Sequence, residues 1–68
     1  MNATNTVTAD HVGKRVTFRF ILPNGMFKEA VGTLEHWDAP AQTYMVRTKD
    51  GDLVRIPARD VTHGKPVG

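Results

Sequence analysis

Apolar and polar residues alternate from Val16 to Leu22, with Val16, Phe18, Phe20 and Leu22 on one face and Thr17, Arg19 and Ile21 on the other. A period of two predicts a half-buried strand. Pro23-Asn24-Gly25 follows, combining a preset φ, an Asn suited to turns and a Gly open to positive φ, so a tight reversal is expected. A second strand is expected from Met26 to Trp37. Two registers are open for this hairpin. A three-residue loop sets Arg19 opposite Glu29 and Ile21 opposite Phe27; a two-residue Asn24-Gly25 loop pairs Phe18 with Val31 and Leu22 with Phe27. Gly32 interrupts the second strand, as expected of a bulge or sharp bend where a small barrel turns a corner.

The third and fourth strands, Thr43 to Thr48 and Leu53 to Pro57, flank Lys49-Asp50-Gly51. Here the pattern selects the register. A two-residue loop would set Val46 opposite Arg55 and Arg47 opposite Val54, mixing arginine with valine on both faces. A three-residue loop with Gly51 in the left-handed position pairs Tyr44 with Ile56 and Val46 with Val54, leaving Arg47 opposite Leu53 and Met45 opposite Arg55. The core face of this hairpin is then Tyr44, Val46, Val54 and Ile56. Pro57-Ala58-Arg59-Asp60 predicts a single 3₁₀ turn, and Val61 to Lys65 a short closing strand ended by Pro66. Residues 1–9 carry no periodic apolar pattern and are expected to form a flexible arm, ordered at Val7 at most, ahead of a folded domain over 10–68. Five short strands, tight hairpins and a 3₁₀ turn before the last strand predict an all-β fold, a small five-stranded SH3-like (Tudor-like) barrel. Curling the sheet protects edges that a flat sheet of this size would expose.

Composition narrows the function more than it identifies it. A chain of 68 residues, 40% hydrophobic and 24% charged, makes one small domain that buries only about 60% of its unfolded surface. Little interior remains for a deep catalytic pocket. There is no serine and no cysteine, which removes the commonest nucleophiles, disulfides and thiolate metal sites, and fits a reducing, cytoplasmic setting. The uncharged run Phe20 to Phe27 is short and broken by Pro23, Asn24 and Gly25, so neither a transmembrane helix nor a secretory leader is expected. His11, His36 and His63 lie too far apart in sequence for helical or hairpin pairing to make a ligand set. Asp50 and Asp52 flank Gly51 as turn residues. With no Walker A pattern and no G-x-G-x-x-G, nothing cradles a nucleotide phosphate, and no cofactor is expected. A formal charge of +2 is too small to argue nucleic-acid binding alone.

Any activity is therefore expected on the outer surface. Arg47 and Arg55 share the outward side of the second hairpin with Met45 and Leu53, and Arg19 extends the patch from the first strand. These arginines suit an acidic partner or a phosphate backbone, although their stems equally suit covering Leu53 and Met45 while the guanidinium groups stay in water. Trp37 and Tyr44 bracket the connection Asp38 to Gln42 and are placed to form an aromatic platform for cation recognition at one barrel mouth. A full cage needs more aromatics than the core leaves free.

The segments Arg15-Val16-Thr17-Phe18-Arg19-Phe20-Ile21-Leu22-Pro23-Asn24-Gly25, Val31-Gly32-Thr33-Leu34-Glu35-His36-Trp37-Asp38, Val46-Arg47-Thr48-Lys49-Asp50-Gly51 and Ile56-Pro57-Ala58-Arg59-Asp60-Val61, followed by Gly64-Lys65-Pro66-Val67, carry a resemblance. Together, over about residues 11–67, they resemble the SH3-like module that precedes the catalytic domain in a group of actinobacterial GNAT-type N-acetyltransferases. In that family the Lys-Pro-Val end leads into the acetyltransferase domain. The resemblance implies an accessory module and lends no catalytic residue to this sequence, because the glycine-rich loop that binds the acetyl-CoA pyrophosphate belongs to the domain not present here. Met1 and the arm favour a free-standing relative over a domain cut from a longer enzyme. The expected function is that of a non-enzymatic protein-interaction or regulatory module with a partner such as an acetyltransferase; the alternative is weak nucleic-acid binding through the arginine-bearing face. Candidate binding residues are Trp37, Tyr44, Arg19, Arg47 and Arg55.

Overall fold

Alternation along the chain is realised as strands throughout. A computed structural model of the protein describes residues 4–67. Six strands form one sheet: β1 (Thr4–Asn5), β2 (Arg15–Ile21), β3 (Phe27–Asp38), β4 (Thr43–Thr48), β5 (Leu53–Pro57) and β6 (Val61–Pro66). Their order is β1-β6-β2-β3-β4-β5, with β1 parallel to β6 and every other pair antiparallel. Single 3₁₀ turns at Ala9–His11 and Ala58–Asp60 precede β2 and β6. The all-β expectation and the turn before the last strand therefore hold, with one strand more than the five expected. The sheet stays open between β1 and β5, yet its inner face wraps a single core, and the principal extents of 28 × 25 × 23 Å show how strongly it curls.

That core consists of Val7, Val16, Phe18, Phe20, Ala30, Leu34, Tyr44, Val46, Ile56 and Val61, with Leu22, Trp37, Val54 and Ala58 packed at its margin. The first three inward positions of β2 are buried as the alternation requires, and Leu22 sits at the edge. On β5, the last strand of the sheet, Ile56 is fully buried while Val54, nearer the hairpin loop, is only half-buried.

Both hairpins share one construction. Leu22 N–H donates to Met26 O and Gly25 N–H to Leu22 O; likewise Thr48 N–H donates to Asp52 O and Gly51 N–H to Thr48 O. Gly25 and Gly51 have φ of +85° and +90°. These are three-residue loops closed by a left-handed glycine. The first hairpin accordingly takes the register pairing Arg19 with Glu29 and Ile21 with Phe27. The second pairs Tyr44 with Ile56, Val46 with Val54, Met45 with Arg55 and Arg47 with Leu53, as its pattern demanded.

One expectation needs correction. The register shift in β3 lies at Glu35, between Leu34 and His36, and not at Gly32. Gly32 pairs with Val16 on one side and Thr48 on the other. A Cβ there would strike the Arg47 carbonyl, its carbon 2.8 Å away, so the glycine serves a close backbone approach where β3 passes from β2 to β4. From Thr4 onward the N-terminal segment packs on the sheet: β1 pairs with β6, Val7 is buried, and Thr8 caps the first 3₁₀ turn by accepting from Asp10 N–H. Val7 supplies the apolar anchor that an arm needs to hold against the sheet. The expectation of flexibility at residues 1–3 lies outside the described residues.

Candidate functional site

The inward and outward rows of the sheet decide which candidate side chains reach solvent. Tyr44 is inward and buried. Its hydroxyl donates to Val7 O and accepts from Asn5 Nδ2, both at 3.0 Å, and its ring lies 4.7 Å from that of Phe18 and 4.6 Å from that of Trp37, measured between centroids. Tyr44 therefore belongs to the core, where it ties β4 to the N-terminal segment, and does not form an exposed platform. Trp37 pairs with Tyr44 across β3 and β4 and is half-buried. The two aromatics are brought together as the sequence suggested, but Tyr44 offers its face to Trp37 and Phe18 and has none left for a ligand.

The bulge at Glu35 explains Trp37. Ala30, Gly32 and Leu34 point inward by simple alternation, which would next turn His36 inward and Trp37 out; one extra residue reverses this. Glu35 itself points outward like Thr33, which sits opposite Arg47, so its carboxylate lies diagonally beside Arg47. Arg47 Nε donates to Glu35 Oε2 at 2.9 Å, Nη2 to Oε1 at 3.2 Å and Nη1 to Gly51 O at 2.9 Å. This bidentate pair holds the Glu35 carboxyl below its ordinary range, chiefly through the hydrogen bond from Arg47, and raises Arg47 in turn through the same bond. Arg47 is thus already spoken for. Glu35 was missed as its partner by sequence reasoning, although simple alternation from Gly32 and Leu34 already puts Glu35 on the outward face with Thr33, the residue opposite Arg47.

Arg55 stands exposed opposite Met45 on the outer face, separate from Arg19. Arg19 projects from β2 with its guanidinium 4.8 Å above the Phe27 ring. The arginine face is therefore not one patch: Arg47 is neutralised, Arg55 is at the far hairpin, and Arg19 lies beside β6.

Two outward surfaces remain. On the first hairpin Ile21 and its cross-strand partner Phe27 are exposed on the outer face, and Met26 is exposed at the turn; Phe27 keeps 53% of its surface in solvent, unusual for a phenylalanine in so small a domain. Beside it, Thr4, Thr6, Thr17, Arg19, Glu29, His63 and Lys65 line a groove of about 550 Å³ between the N-terminal segment and the β6-β2-β3 face. The bulge at Thr62, held by its hydroxyl donating to Arg19 O at 3.1 Å, keeps Val61 and Gly64 inward while His63 and Lys65 face out.

Histidines do not converge. His11 accepts from Thr8 N–H through Nδ1 at 2.9 Å, His36 pairs with Met45 on the outer face, and His63 lies in the groove. Among the described residues no group of three or more His, Cys, Asp or Glu is placed to hold a metal ion, and no helix is long and apolar enough to cross a membrane.

No curated protein and no solved structure is similar enough to match the chain. A family model described as the Rv0428c N-terminal Sm-like domain matches residues 10–65, a span that runs from the first 3₁₀ turn through nearly all of β6. The curled all-β sheet agrees with it, and the chain belongs to this family of small Sm-like domains.

Proposed function

We propose that this domain is a non-enzymatic protein-interaction module, an accessory unit related to the SH3-like module of GNAT-type acetyltransferases, and that its partner is a catalytic domain of that class. The observation that carries the reading is the exposed apolar pair Ile21 and Phe27 on the outer face of the β2–β3 hairpin, with Met26 exposed at its turn. An aromatic left half in solvent on a hairpin whose register is set by its turn suits burial against another protein, where aromatic anchors supply most of the binding energy. The family's description as an N-terminal domain fits a unit that accompanies another domain.

The nucleic-acid alternative draws less support, because Arg47 is engaged by Glu35 and the remaining arginines are dispersed. Titration of the isotopically labelled chain with a GNAT-type catalytic domain tests the proposal. Saturable shifts at Ile21, Met26 and Phe27, weakened by Phe27→Ala, are expected. Absence of any shift, or shifts elsewhere that Phe27→Ala leaves intact, overturns it.

A further inference from the structure

The groove beside the apolar ledge has a charge pattern of its own. Pairing across four strands sets Thr4, His63, Arg19 and Glu29 in one outward row; one step along, Lys65, Thr17 and Val31 form the next. The groove thus holds the cations Arg19 and Lys65 and the imidazole of His63 against the single carboxylate Glu29. The ion pair found among the described residues is Glu35–Arg47, on another part of the sheet; Glu29 lies opposite Arg19 without a close contact, and two cations and an imidazole still outnumber that one carboxylate. Arg19 is exposed and holds its guanidinium carbon 4.8 Å from the centroid of the Phe27 ring, so a fork suited to carboxylates stands next to an exposed aromatic. Thr4 and Thr17 add hydroxyls, while that of Thr6 is engaged by Gly64 O at 3.2 Å. Exposed Ile21, Phe27 and Val31 continue the same surface.

We propose that this groove binds an acidic extended segment of the partner protein, with its carboxylates on Arg19 and Lys65 and an apolar side chain on Phe27 and Ile21. The assignment rests on the protein-interaction reading and names the chemistry of the partner. Contiguity of cations with an apolar ledge favours a peptide over a bare phosphate chain, which would use the cations and leave Ile21 and Val31 idle. Unpaired cations facing solvent also give complementarity that acts on recognition and weakens with salt.

The full chain, isotopically labelled, is titrated at low salt with three probes: a peptide alternating Glu and Leu, the same peptide with Lys for Glu, and oligothymidylate. The expected result is saturable shifts at Thr17, Arg19, Phe27, His63 and Lys65 with the acidic peptide alone. Arg19→Gln and Lys65→Gln should each weaken binding by about tenfold, as for one charge-assisted contact, with an unchanged amide spectrum elsewhere; Arg55→Gln, on the far hairpin, should change nothing. No shift with the acidic peptide, equal response to the basic one, or tighter binding of oligothymidylate at these residues overturns the proposal. With the catalytic domain as ligand the two readings separate. Binding that survives both Gln variants removes the groove and keeps the module; binding of the acidic peptide without any binding of that domain does the reverse.

Discussion

Tyr44 joins three parts of the molecule through one side chain. Its ring is packed between Phe18 and Trp37, and its hydroxyl is the only side-chain group that reaches Val7 O among the described hydrogen bonds. Tyr44→Phe keeps the packing and leaves both Val7 O and Asn5 Nδ2 without this partner. The loss should be about 1–3 kcal/mol, the cost of orphaned buried polar groups, read as a lower urea midpoint at unchanged slope. An unaltered midpoint would mean that water replaces the hydroxyl at no cost. Glu35 gives a second test at this scale. Its folded-state pKa is lowered by the hydrogen bond from Arg47, so the pair contributes stability above the ordinary carboxylate range and loses it as pH falls through the depressed value. Both side chains are about two-fifths exposed, 43% for Glu35 and 42% for Arg47, so solvent screens the effect and its amplitude is small. In a carbon-detected titration Arg47→Gln should move the Glu35 midpoint upward, and added salt should do the same in part; no movement would show that the pair does not persist in solution.

Elements are where most of the fold was legible. Alternation located β2, β4, β5 and β6 to within a residue, because a half-buried strand has no other way to distribute its side chains. The second hairpin's register followed from keeping arginine off the valine face. The first stayed open because both loops placed acceptable pairs opposite one another, and only the turn hydrogen bonds at Leu22 and Gly25 distinguish them. Bulges were the weak point. Spacings of three between inward Leu34 and Trp37 and between inward Val61 and Gly64 encode them, but a single sequence does not reveal which residue is extra. The site suffered because no pattern selected the β3–β4 register that sets Thr33 opposite Arg47 and Glu35 beside it, and because Tyr44, on the core face by alternation, also reads as a platform with Trp37 until the segment that covers it is placed. The shared loop construction predicts a matched response. Nothing lies within 4 Å of a Cβ built on Gly25 or Gly51, so Gly→Ala at either position meets only the backbone cost of positive φ, about 1 kcal/mol. Gly51→Asn should recover part of it, since Asn tolerates the left-handed region. Equal stability of Gly51→Ala and the parent would refute the left-handed assignment.

At the scale of the whole molecule the N-terminal segment decides whether the curled sheet behaves as one unit. A two-residue parallel strand has too few hydrogen bonds to hold itself on an edge, and no periodicity announced it. What fixes it is side chains: Val7 in the core, Asn5 on Tyr44 and on Val7 N–H at 3.0 Å, Thr8 and His11 closing the turn that follows. Gly64 permits this arrangement, because a Cβ on it would meet Asn5 Oδ1 at 2.6 Å and the Phe18 ring at 2.8 Å. If these contacts make the segment part of the cooperative fold, Val7→Ala must lower the stability of the entire domain. Removing two buried methyl groups with incomplete collapse costs about 2 kcal/mol, which in a domain of this size corresponds to roughly 10 °C in Tm, with a single transition and accelerated amide exchange in β2 and β4 as well as near Thr6. If the segment instead opens by itself, exchange will quicken only from Thr4 to Thr8 while the global Tm stays put. That second outcome would make the groove wall formed by Thr4 and Thr6 a detachable one, and the acidic-segment site would then lose a side whenever the segment lifts.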